Sequence, residues 1–328
     1  METVKRIFRA KIFTLIIVLV VIILFFFVMN KNYLASDNIR NILNAASLTG
    51  TLAVGIACIL ISGNADLSAG AVGMMGGILV AMLLKTGMPW VPALIITVIY
   101  GAVAGAINAL LCNVFNFMPF IATLAMSSVW KGIGYVLTDS QNIAISNQSF
   151  WKVGAGNVLG IPMPFVIMIV LLIIYGFILN YTRFGRKIYM CGGNRNAARL
   201  AGINPKKIST ILFINCSAIA TLGGAVLAAR MHTGSPSSVL GQELDGITAS
   251  VLGGVSFTGG SGGMLGCFIG LLLLNCFNNG LTVIGLSSYW QIVASGVLLI
   301  LALVLDFYRE KSRIKKLKAQ EKADKAAA

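Results

Sequence analysis

The stretch Tyr181–Lys207 reads YTRFGRKIYMCGGNRNAARLAGINPKK, with seven Lys/Arg and no Asp/Glu. It separates two long apolar runs, Pro164–Asn180 and Ile208–Ala229. A short Lys/Arg-rich loop between apolar runs stays on the cytoplasmic side of a membrane and so orients the rest of the chain. Within it Asn194 suits a helix N-cap, Arg195–Ala201 a two-turn helix and Gly202 its C′ position, with Pro205 soon after. Such a helix is roughly 10 Å long. Ala197, Ala198, Leu200 and Ala201 give it a small-residue contact surface between Arg195 and Arg199. From spacing alone the loop either meets a partner protein or only touches lipid headgroups.

Composition outside the loop agrees with a membrane. Of 328 residues 57% are hydrophobic and 11% charged, with a mean hydropathy of +0.88. A soluble domain carries roughly 25% charged residues. The apolar runs lack the alternation of a transmembrane barrel, which leaves an all-α, polytopic helical bundle. The net charge of +15 does not point to nucleic acid, because the cations flank spans: four at Lys5–Lys11, seven in the loop and eight at Arg309–Lys325. The six cysteines form no C-x-x-C, and His232 is the only histidine, so no metal or cofactor site is expected. No Lys follows a Gly anywhere, which excludes a P-loop and leaves enzyme function without a candidate residue set.

The runs Ile12–Met29, Ile42–Ile61, Ala71–Leu84, Trp90–Phe115, Phe120–Leu137, Pro164–Asn180, Ile208–Ala229, Met264–Phe277 and Gln291–Leu305 read as spans. If Glu243–Gly263 also crosses, the count is ten and both termini lie inside with all three basic clusters. Residues 1–308 then form one transmembrane domain, and 309–328 form a basic cytoplasmic tail. Ile12–Met29 is longer than a signal-peptide core and no small-x-small cleavage site follows. Gly101-x-x-x-Gly105 suits close helix packing. Asp139–Met163, long and of mixed polarity, is a candidate functional loop.

Asp66 is the only acidic residue between Asp37 and Asp139 and sits beside a span. It reads as a helix N-cap, as a pathway carboxylate, or as the coupling group of an ion-driven secondary transporter. Gly253, Gly254, Gly259, Gly260 and Gly262 disfavour a continuous helix by roughly 1 kcal/mol each. They predict either a broken or re-entrant segment near 243–263 or unusually tight helix packing.

Four motifs, in order, resemble bacterial permease subunits of ribose-type ABC sugar importers over nearly the whole chain. Gly63–Gly70 is similar to the family's Gly-Gly-x-Asp-Leu-Ser-x-Gly. Pro119–Leu124 and the Gly192–Ile203 run resemble its next two, and Glu243-Leu244 through Gly262 its glycine-rich last one. The resemblance implies a ten-span permease in the bacterial inner membrane, paired with a second copy as homodimer or heterodimer. It also implies a separate ATPase inside, binding ATP and Mg, and a periplasmic or lipid-anchored sugar-binding protein outside. On this chain it makes Asn194, Arg195, Ala197, Ala198, Arg199 and Gly202 the ATPase-coupling residues. The loops Asp139–Met163 and Arg230–Gln242 would face the binding protein. Asn64, Asp66, Ser68, Phe120 and Thr123 are the residues expected along the sugar pathway. Asn64 departs from the family by placing a side chain where a glycine is usual; Ser261 and Val255 depart where a basic residue and Thr are common.

Overall fold

The computed structural model describes the backbone of residues 2–327 and the side chains of residues 12–308 and Lys311. The other basic side chains of the two terminal clusters lie outside the described residues. The helices are α1 (Glu2–Met29), α2 (Ser36–Ile61), α3 (Ala69–Lys85), α4 (Trp90–Asn113), α5 (Pro119–Thr138), α6 (Gln148–Ala155), α7 (Met163–Tyr181), α8 (Arg183–Gly193), α9 (Arg195–Leu200), α10 (Pro205–Met231), α11 (Gln242–Leu252), α12 (Met264–Val283) and α13 (Ser288–Ala327). Four two-residue strands interrupt them: β1 (Ile143–Ala144), β2 (Asn157–Val158), β3 (Ile161–Pro162) and β4 (Thr233–Gly234). In a bilayer core every backbone N–H and C=O must be paired within the protein, so apolar runs of this length form helices.

Among the described residues eight helices are long and apolar enough to cross a membrane: α1 from Ile12, α2, α4, α5, α7, α10, α12, and α13 as far as Tyr308. α3, at 17 residues, is shorter. Residues 243–263 hold no single continuous helix: α11 ends at Leu252 and residues 253–263 form a loop. Gly254, Gly259, Gly260 and Gly262 have φ of +90°, +93°, +73° and +124°, a region that glycine enters without steric cost. α13 continues past residue 308 without a break.

α2 and α10 form the centre, with α3, α4 and α11 against them. In α2 78% of the apolar window is buried, against 6% in α1, which leaves α1 facing lipid. Small residues allow the close approaches. Gly101 and Gly105 of α4 face Thr221 and the Phe213 carbonyl of α10, and a Cβ at either would overlap them. Gly73 of α3 meets Gly224 of α10 backbone to backbone. The Gly-x-x-x-Gly expectation holds.

At the end of the bundle opposite α9, the two long loops meet. β1 pairs antiparallel with β4, Ile143 opposite Gly234 and Ala144 opposite Thr233. The Trp151 ring stacks on His232 with centroids 4.1 Å apart. β2 and β3 form a hairpin whose turn residues Leu159 and Gly160 both have positive φ, as a type I′ turn requires.

Candidate functional site: the capped loop helix and the buried carboxylate

α9 forms where the sequence places it, one residue shorter than expected. The Asn194 side chain accepts from the backbone N–H of Asn196 and Ala197, each at 3.0 Å, and Gly202 follows with φ +76°. Of the predicted contact surface only Ala198 turns inward. Ala197, Arg199 and Ala201 are exposed, and Leu200 is 91% exposed. A leucine held out on a capped helix costs hydration unless something covers it.

Three stretches far apart in sequence meet beneath α9. The Arg195 guanidinium donates to Asn64 Oδ1 at 2.7 Å and to the Gly63 carbonyl at 3.2 Å. Asn64 in turn donates to Ser62 Oγ at 3.0 Å. Gly260 N–H donates to the Ile61 carbonyl at 2.8 Å, and the Tyr189 hydroxyl donates to the Gly262 carbonyl at 2.9 Å. Gly192 lies against Ile61 and Gly260 so closely that a Cβ would overlap both backbones. Gly253 packs on Gly266 in the same way. The glycines therefore serve both expected roles: Gly253 permits tight packing, and the four after it shape the loop. Asp306, on α13, fixes that loop by accepting from the Phe257 N–H at 3.0 Å and Ser256 Oγ at 3.3 Å. Burial pushes the Cys191 thiol pKa up, with nearby Arg195 pulling the other way.

Asp66 follows Asn64 by two residues and is fully buried. Its Oδ1 accepts from the Ser68 N–H at 2.9 Å and Ser68 Oγ at 2.6 Å. Asn108 Nδ2 lies 2.7 Å from Ser68 Oγ and 3.5 Å from Asp66 Oδ1. Thr123 Oγ1 accepts the Leu67 N–H at 3.0 Å. Asp66 thus orders the turn that leads into α3, whose own N-cap Ser68 makes no side-chain cap bond. Of the five expected pathway residues, Asp66, Ser68 and Thr123 converge. Asn64 belongs to the contact with α9, and Phe120, 51% exposed, points away from the cluster.

Sequence reading missed four contributors. Asn108 sits toward the C-terminal end of apolar α4 with nothing adjacent to mark it. Glu243, in the first turn of α11, lies against Gly70 of α3, and its buried Oε2 has no hydrogen-bond partner. Asp306 resembles a span-end charge. Lys131 is exposed in the interior of α5. Lys131 carried the clearest signal, a lone cation within a predicted span.

A family model described as "Branched-chain amino acid transport system / permease component" matches residues 38–303. The chain is 37% identical over 287 residues to the ribose import permease protein RbsC of Bacillus subtilis, covering 87% of this chain and 88% of that protein. It is 34% identical over 275 residues to the D-allose transport system permease protein AlsC of Escherichia coli, covering 84% of each. It is 32% identical over 291 residues to the L-arabinose transport system permease protein AraH of Escherichia coli, covering 86% of each. No solved structure matches the chain.

Proposed function

The chain belongs to the family of transport-system permease components, standing with its sugar-import members, and on that premise we propose that it carries a monosaccharide across the bacterial inner membrane. It is a multi-pass permease subunit of an ATP-binding cassette importer and not an enzyme; ATP is hydrolysed in a separate subunit. The relatives are named for ribose, allose and arabinose, which favours a pentose or hexose over the amino acids of the family's title. α9 faces the cytoplasm and docks on the ATPase through Arg199 and Leu200, and a binding protein delivers sugar to the opposite end. Two copies, or this chain with a similar one, complete the channel. α3 and α11, each with the non-helical chain before it, complete two further crossings, for ten in all.

One observation carries the docking role. Arg195 on the exposed α9 is tied to Asn64, two residues before the buried Asp66 turn. A movement imposed on α9 from outside the chain is therefore passed to the start of α3. An ion-coupled secondary transporter needs no such link, and Asp66 Oδ1 is already engaged by Ser68. Proteoliposomes holding this chain, its ATPase and its binding protein should accumulate sugar only with ATP inside. Accumulation by the chain alone under a proton or sodium gradient would sink the reading.

A further inference from the structure

At the end opposite α9 the described residues enclose an open cavity of about 330 Å³. It lies where the first turns of α2, the α6–β2 connection and the last turn of α10 come together. Six polar side chains line it: Asp37, Arg40, Asn41, Asn44, Asn157 and Arg230. Among the described residues none of the six makes a side-chain hydrogen bond; Asn44 and Arg230 are half-buried and the other four are exposed. Buried polar side chains are ordinarily paired, so the half-buried Asn44 and Arg230, facing one space with the exposed Asp37, Arg40, Asn41 and Asn157 around them, mark a place where a polar ligand supplies the partners.

The donor and acceptor set describes that ligand. Two guanidiniums and three amides donate, while one carboxylate and three amide oxygens accept. No ring lines the cavity, and the walls between the polar groups are Gly154, Ala155, Gly156 and Pro162. A small molecule with several adjacent hydroxyls, each both donor and acceptor, satisfies such a mixture from any side. The volume falls at the small end of the range for small-molecule pockets. Asn44 and Arg230 also line a second, narrower space of about 10 Å³ that runs along α2 past Ser47 and Thr51. That space has room for about one water, and Gly223 of α10 and Thr51 of α2, close to each other, are among the residues that line it.

We infer that this cavity is an entry subsite of the permease for a monosaccharide-sized polyol, held by Asn41, Asn44 and Arg230 before it passes to the channel that two chains complete. The inference rests on the sugar-import reading above and adds the place where the solute first meets this chain.

The test uses the assembled transporter in proteoliposomes. All six native cysteines are buried, so Asn44→Cys offers one accessible thiol to a membrane-impermeant methanethiosulfonate. Asn41→Cys, at an exposed position, serves if the first variant does not assemble. D-ribose, D-allose and L-arabinose are the probes, without binding protein when labelling is followed and with binding protein and ATP when uptake is measured. The transported sugar should slow labelling about threefold at twice its Kd, and complete labelling should abolish uptake. A sugar that unmodified transporter takes up but that leaves the labelling rate unchanged overturns the subsite alone. Protection by inorganic phosphate and not by sugar also overturns it, because the ligand is then an anion. If unmodified transporter takes up none of the three sugars, the sugar-import reading fails and this one with it.

Discussion

Asp66 is a carboxylate removed from water, and its cost is offset only by the groups that meet it. Oδ1 meets the Ser68 N–H and hydroxyl, while Oδ2 and the neighbouring Asn108 Oδ1 have no donor. Asp66→Asn keeps the Oδ1 acceptor and puts an N–H₂ in place of the unpartnered Oδ2. It should change stability by less than about 1 kcal/mol. Asp66→Leu leaves the Ser68 donors buried and unpaired, at about 1–3 kcal/mol. Thermal unfolding of the detergent-purified protein should separate the two, and equal loss in both would remove the structural role. Asn64 acts on the other side of the same turn. Asn64→Gly restores the residue usual in the family but removes the 2.7 Å acceptor of Arg195. With the Gly63 carbonyl still accepting, the loss is about 1 kcal/mol, a factor of about 5. It should appear in ATPase stimulation by the binding protein, with ATPase association unchanged. Weakened association instead would mean that Arg195 contacts the ATPase itself.

α9 makes clear what was legible in the chain and what was not. Its N-cap, length and C′ glycine are local chemistry, set by Asn194 and Gly202 within a few residues, and each was readable in order. That Arg195 points back to Asn64, 131 positions earlier, while Leu200 points out was not readable. Direction depends on how α8 enters the bundle, which spacing does not encode. The same division holds at 253–263. The glycine count told of a break, but which glycine turns and which packs is decided by Gly266 and Gly193 across the contact. Asn108 stayed hidden because a single polar residue in an apolar helix has many ordinary explanations, and Glu243 was legible only as the start of the last motif, its contact with Gly70 being 173 positions away. For α9 the consequence is specific. Leu200→Asp removes an apolar anchor worth about 1.5–3 kcal/mol when covered, a loss of tenfold or more in affinity. Pull-down of the ATPase should fall accordingly while membrane insertion persists. Unchanged pull-down would place the docking surface elsewhere.

Across the whole molecule the exposed faces of α1, α4, α7 and α13 are built from Ile, Leu, Val and Phe, as contact with lipid requires. α5 differs. Its face carries apolar Val129 and Val136 on one side and Ser128, Lys131 and Tyr135 on the other. Among the described residues Lys131 is the one charged side chain exposed within the interior of a crossing helix. It stands seven residues before Thr138, roughly 10 Å from the nearer helix end. An ammonium left in hydrocarbon there costs about 2.5–3.5 kcal/mol, less what the side chain recovers by reaching toward the surface. Among the described residues no acidic side chain pairs with it, which favours a Lys131 side of α5 that faces water. In a transporter built from two such chains, that water belongs between them. Lys131→Cys should react with a membrane-impermeant thiol reagent in sealed vesicles. Val136→Cys, 78% exposed on the apolar side of the same helix, should react only with a lipid-soluble one. Reaction of both positions with the lipid-soluble reagent alone would put the whole α5 face in the bilayer and leave Lys131 to reach the surface by itself.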